Sequence, residues 1–155
     1  MAAEVGKPAP AFNLKSHKME DVALSAYQGK NVLLLFFPLA FTPTCTTEFT
    51  IIKDKVDEIH KANGEVFGIS VDSPFSQAKW SEAQSYQNTF LSDLGKEAAR
   101  SYGVLVEDFR GMKGVSKRAA FLVDKTGKIV KSQVLEDPKL LPDIDGFIAE
   151  MKKLN

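Results

Sequence analysis

The chain contains one cysteine, and the residues around it decide what chemistry it can carry. Cys45 lies in Phe36-Phe37-Pro38-Leu39-Ala40-Phe41-Thr42-Pro43-Thr44-Cys45-Thr46-Thr47-Glu48. Thr42-Pro43 is a helix-start signal: a hydroxyl residue at the cap, then proline at the first helical position, where its missing N–H costs nothing. Cys45 then falls in the first helical turn, where backbone N–H groups are unpaired and the helix dipole is positive. A free cysteine ionises near pH ~8.5, and such a position favours the nucleophilic thiolate. Thr42, one turn earlier, can share a bound oxygen atom with the sulfur. Glu48, one turn later, would repel a thiolate unless a cation, best an arginine, served both groups. No cysteine stands three residues before or after Cys45, so dithiol exchange within the motif is excluded.

The elements that must hold this stretch follow from periodicity. Phe12 and Leu14 alternate in a proline-rich, extended opening segment, and Val22, Leu24 and Tyr27 suggest a short strand and turn. Asn31 to Phe37 is an apolar run that fits a buried strand. Thr42 to Ala62 is expected as one long helix ending at Asn63-Gly64, with Phe49, Ile52, Val56 and Ile59 on its core face. Glu65 to Asp72 is a second buried strand. Ser73-Pro74 repeats the cap-then-proline signal and opens a second helix to about Gln84 or Gln87. Phe90 to Asp93 is a short extended piece, Lys96 to Tyr102 a brief helix stopped by Gly103, and 104–118 a loop. Ala119–Asp124 and Lys128–Val134 flank Lys125-Thr126-Gly127 as a hairpin. Pro142 to Leu154 closes as an amphipathic helix. Two crossover units followed by a hairpin imply a mixed central sheet with helices on both faces, a thioredoxin-like α/β fold. Residues 1–155 are expected to form a single domain.

The composition removes several function classes. The apolar and charged fractions, 44% and 26%, are those of an ordinary globular domain. Basic and acidic residues balance at 20 each, so no bulk field favours nucleic acid or an anionic membrane. No apolar run approaches the ~20 residues of a membrane span. The N-terminus lacks the basic start and apolar core of a secretion signal. A lone cysteine cannot form an internal disulfide, which suits a reducing compartment, and a cytoplasmic location is the expectation. His17 and His60 do not share metal-ligand spacing with Cys45, so neither metal nor cofactor is expected.

The sequence Pro38-Leu39-Ala40-Phe41-Thr42-Pro43-Thr44-Cys45 matches P-x-x-x-T-x-x-C and resembles the peroxiredoxins, thiol peroxidases on the thioredoxin fold. Gly6 to Phe12, Ser70 to Pro74 followed by Trp80, Leu91 to Asp93 and Tyr102 to Val104 are similar to further segments of that family. Arg118, directly before Ala119 to Asp124, falls where the family places its active-site arginine. The resemblance implies that Cys45 attacks a hydroperoxide and becomes a sulfenic acid. Arg118 would hold the thiolate and the peroxide oxygens, and Thr42 would orient the substrate. The N–H groups of Thr44 and Cys45 would stabilise developing charge, Pro38 would shield the sulfur, and Glu48 would position Arg118.

The resolving cysteines of other members are missing, since the position five residues on is Thr50 and no cysteine follows. An external thiol is therefore implied: a small thiol, or a thioredoxin- or glutaredoxin-like partner. The active loop is most similar to the single-cysteine alkyl hydroperoxide reductase E type, then to the bacterioferritin-comigratory group. A homodimer is expected, as family members associate through the edge of this loop. The competing reading is a non-enzymatic peroxide sensor, redox relay or holdase on the same fold. Trp80 reads as packing, Glu48 alternatively as an ordinary exposed helix carboxylate, and Phe37, Phe41, Tyr102 and Phe109 mostly as core, with an exposed aromatic patch for self-association as the alternative for some of them.

Overall fold

The computed structural model describes residues 3–155. The first half runs β1 (Asn13–Ser16), β2 (Asp21–Ala23), a single 3₁₀ turn at Leu24–Tyr27, β3 (Asn31–Phe36), α1 (Pro43–Lys53), α2 (Val56–Lys61) and β4 (Gly64–Ser70). The second half runs α3 (Pro74–Gln84), β5 (Thr89–Ser92), α4 (Glu97–Ser101), β6 (Leu105–Val106) and β7 (Val115–Ser116). It closes with β8 (Arg118–Val123), β9 (Ile129–Leu135) and α5 (Ile144–Lys153). Seven strands form one sheet in the order β2-β1-β5-β4-β3-β8-β9. β3, β4 and β5 are parallel, as their helical crossovers require, while β8, β9, β1 and β2 pair antiparallel. This is the mixed, thioredoxin-like sheet that the element order implies.

Both faces are covered, which is why β3 is apolar at nearly every position. Leu33, Leu35 and Phe37 join a core cluster with residues of α1, α2, α3 and α5. Val32, Leu34 and Phe36 point the other way, into a cluster with Ala98 and Ala99 of α4 and Leu24 of the 3₁₀ turn. On β4, a side chain at Gly68 would meet the Phe90 and Phe49 rings at 2.6 and 2.8 Å. The glycine thus lets Phe49, one turn beyond Cys45, lie directly on the sheet.

The helix expected over Thr42 to Ala62 is two helices. Asp54 N–H donates to Ile51 O at 3.2 Å and Lys55 N–H to Ile52 O at 2.8 Å, three-residue bonds that tighten the chain between α1 and α2. Cys45, Phe49, Ile52, Val56 and Ile59 all stay buried across the break. Periodicity therefore identifies the buried face and misses the interruption. Asn63 adopts φ +57°, the left-handed stop after α2. Within 104–118, expected as loop, β6 and β7 form a two-residue antiparallel ribbon.

Candidate active site

The loop between β3 and α1 is held at both flanks by short polar contacts. Phe37 N–H donates to Ile69 O at 3.0 Å, and Phe37 O accepts from Ser116 Oγ at 2.9 Å. Ala40 N–H donates to Asp72 Oδ2 at 2.8 Å, an oxygen that also accepts from Ser70 Oγ at 2.6 Å. Asp72 therefore anchors the loop from the end of β4. Residue types alone mark Ser70 to Pro74 only as a strand end and a helix cap. Phe41 ends the loop at φ +69° and is 59% exposed, the exposed alternative, whereas Phe37 and Tyr102 are core. A non-glycine residue in that conformation reverses the chain sharply before the helix.

Thr42 sits at the cap position of α1 with extended backbone, and Pro43 follows at the first turn. Its hydroxyl makes no capping bond; it donates to Leu39 O at 2.8 Å. This corrects the expectation of a hydroxyl cap. The tight turn brings the Leu39 carbonyl within reach, which uses the hydroxyl as donor and leaves its oxygen able to accept. The first-turn N–H groups of Thr44 and Cys45 have no intrahelical acceptor, and among the described residues no side chain caps them.

Arg118 arrives from the sheet by parity. Ala119 pairs with Phe36, so Arg118 lies on the face of Ala120 and Leu122, beneath α1. Its Nη1 donates both to Cys45 Sγ at 3.3 Å and to Glu48 Oε1 at 2.7 Å. Its Nε and Nη2 donate to Pro138 O at 3.3 and 3.0 Å. Cys45, Glu48 and Arg118 are 1%, 0% and 2% exposed, so these groups meet in a nearly dry site. Burial pushes the Glu48 carboxyl up to about 7, against the opposing pull of Arg118. Burial also works against the charge on Arg118, but Glu48 and Cys45 outweigh it and raise the guanidinium above its ordinary value. Glu48 Oε2 has no hydrogen-bond partner among the described residues.

The remaining candidates surround this trio. Thr42 and Thr44 flank Cys45 at the helix start. Pro38 is buried and lines a cleft of about 330 Å³ together with Arg118, Ser116, Phe109 and Pro138. Trp80 is wholly buried and packs as expected; its Nε1 donates to Thr46 Oγ1 at 3.3 Å. Tyr86 OH donates to Thr46 O at 3.0 Å, so two aromatic side chains fasten the turn that carries Cys45. His17 Nδ1 accepts from Phe90 N–H and His60 faces Glu65, each remote in role from the trio. The Pro138 carbonyl has no counterpart among the sequence expectations, because a backbone acceptor brought in by a distant loop leaves no signature in residue types.

A cysteine and a carboxylate on one helical turn, joined by one guanidinium nitrogen, form a site for nucleophilic sulfur chemistry. Comparison with known proteins agrees in kind. The model of the AhpC/TSA family matches residues 5–132. The chain belongs to that family, the peroxiredoxins. It is 39% identical over 142 residues to Peroxiredoxin-2 of Bos taurus, covering 85% of this chain and 68% of the relative. Reduced 2-Cys peroxiredoxin of Plasmodium vivax superposes with TM-score 0.84 at 31% identity, over 95% of this chain and 79% of that one. Peroxidoxin BcpB of Mycobacterium tuberculosis gives 0.87 at 26% identity over 99% of both chains. This peroxiredoxin is accordingly a thiol-dependent peroxidase with one cysteine available for the reaction.

Proposed function

We propose that Cys45 is the peroxidatic nucleophile and that the site assigns a role to each residue around it. The observation that carries the reading is the single Arg118 nitrogen donating to both Cys45 Sγ and Glu48 Oε1. The Cys45 thiolate attacks the terminal oxygen of a hydroperoxide, the O–O bond breaks, and the alkoxide or hydroxide leaves and takes a proton. Sulfur retains the hydroxyl as a sulfenic acid. Arg118 supports the thiolate and the peroxide oxygens. Thr42 accepts from the substrate hydroxyl, and the Thr44 and Cys45 N–H groups stabilise negative charge developing on oxygen. Pro38 shields the sulfur from water, and Glu48 orients Arg118.

The second half of the cycle needs an external thiol. It attacks the sulfenic sulfur with loss of water, and a second thiol releases the resulting mixed disulfide. A thioredoxin-like or glutaredoxin-like protein or a low-molecular-weight thiol supplies it, because Thr50 stands where a nearby resolving cysteine would be. The chain fits the single-cysteine members, of the alkyl hydroperoxide reductase E-like or bacterioferritin-comigratory-like groups. The end-to-end match to BcpB supports the latter affinity. Residues 1–155 act as one domain, working as a homodimer in the cytoplasm, with exposed Phe41 at the contact edge. Among the described residues no helix is long and apolar enough to cross a membrane.

The test is stopped-flow mixing of reduced protein with stoichiometric hydroperoxide, followed by Trp80 fluorescence. A fast second-order step, lost in Cys45→Ser and kept in Thr50→Ala, is the expected result. A rate no faster than that of free cysteine overturns the assignment.

A further inference from the structure

Cys45, Glu48 and Arg118 bring two acids to one permanent cation inside the protein. All three are at most 2% exposed. If both acids were ionised, the trio would carry an uncompensated negative charge away from water, which is strongly disfavoured. One proton therefore stays in the trio, on either sulfur or carboxylate. The hydrogen-bond pattern distinguishes the two. Nη1 reaches Sγ and Oε1, while Oε2 has no partner among the described residues, and in a dry site a bare oxygen on an ionised carboxylate costs more than a bare neutral hydroxyl. The groups facing Glu48 do not alter this balance. Arg118 from β8 and Cys45 on its own helix are the charged or titratable partners. The loop after β9 contributes the Pro138 carbonyl to Arg118, and Tyr86 turns its hydroxyl to Thr46 O.

We propose that Glu48 holds the Cys45 thiol proton in the reduced enzyme and gives it up when the sulfur is oxidised, so that the trio is a proton store as well as a thiolate clamp. The step balances. Cys–SH and Glu–COO⁻ become Cys–S⁻ and Glu–COOH with no change in the charge of the trio. The thiolate then takes OH from ROOH and releases RO⁻. With the sulfur neutral, Glu48 falls back to the value of about 7 that burial and Arg118 set, so above that pH it ionises again and the proton released equals the one that RO⁻ takes up. Peroxide reduction then needs no net proton from solution. The upward push of burial on the Glu48 carboxyl acts in the same direction, and a neighbouring thiolate adds to it. Glu48 is here a positioning and proton-holding residue that acts through Arg118.

The proposal rests on Cys45 being the nucleophile, and the experiment separates the two. Reduced protein at pH 8, above the value of about 7 that burial and Arg118 alone set for Glu48, is mixed in weak buffer with an indicator dye and one equivalent of hydrogen peroxide while thiolate absorbance is followed. The expected result is loss of the thiolate band with no net proton uptake. In Glu48→Gln, which keeps the shape but cannot store the proton, one proton is taken up per sulfenic acid formed. One proton taken up by the unaltered protein, or equal uptake in both proteins, overturns the proposal. An independent check needs no variant. Difference infrared spectra with isotopically labelled glutamate show a protonated carboxyl band in the reduced protein that disappears on oxidation, and its absence overturns the assignment. If peroxide leaves the thiolate band untouched, the nucleophile assignment itself fails and takes this inference with it.

Discussion

The two helices that begin with a hydroxyl residue and a proline use the same local signal to opposite ends. At α3, Ser73 accepts from Ser76 N–H at 3.2 Å and closes the helix start in the ordinary way. At α1, Thr42 donates to Leu39 O and caps nothing, although its backbone is equally extended. One helix end is satisfied internally. The other is left without a side-chain cap, next to a sulfur held by Arg118. Under the proposed function, the start signal that does not close on itself marks the helix end that meets the peroxide.

The widest separation between the two ends comes from removing the sulfur. Cys45→Ser should abolish peroxide reduction while leaving the fold intact, measured by substrate consumption and circular dichroism. Arg118→Met, which strips the donor shared by Cys45 and Glu48, should lower the second-order rate with peroxide by roughly 10²–10³-fold, the scale of losing one preorganised donor. Thr42→Val and Ser73→Ala test the contrast directly. The first should slow peroxide reduction by about 10²-fold and cost about 1 kcal/mol through loss of the bond to Leu39 O. The second should leave the rate unchanged and cost about 1 kcal/mol of stability. Should Ser73→Ala slow the reaction as much as Thr42→Val, the distinction between the helix ends is lost.

The pH dependence of stability sharpens the account of the buried carboxyl. In Cys45→Ser, burial and Arg118 still act on Glu48, whose folded value of about 7 lies above its unfolded 4.5. The folded state then holds a proton that the unfolded state has released. Stability is fully present below the unfolded value and falls as pH rises through that window. The loss is on the order of 3 kcal/mol, because each pH unit between the two values is worth ~1.4 kcal/mol. Urea denaturation at pH 5 and pH 8 reads it, and Cys45→Ser/Glu48→Gln should show a flat profile.

Much of this site was legible from residue types. Cys45, Thr42 and Glu48 lie on consecutive turns, so their proximity is local. The demand of Glu48 for a cation points to an arginine before any fold is known. The convergence of Arg118 depends on strand parity, which family resemblance supplied and the β3–β8 register explains. The unread parts share a cause. Asp72 and Pro138 act on or through backbone groups, and a carbonyl or amide is present at nearly every position. The break between α1 and α2 preserves the apolar stripe, so periodicity is blind to it, and the two-residue strands β6 and β7 are too short to alternate. Phe41 reads as core on its side chain alone. Its positive φ is set by the turn that Asp72 fixes.

The depth at which Cys45 lies, 1% exposed, makes its reactivity a matter of size as well as electronics. Two oxygens need less room to reach the sulfur than a maleimide does, so the turn fastened by Trp80 and Tyr86 must yield further for the larger reagent. Alkylation by bulky electrophiles should therefore trail peroxide oxidation by far more than their intrinsic appetites for thiols differ. Gentle warming should narrow that gap.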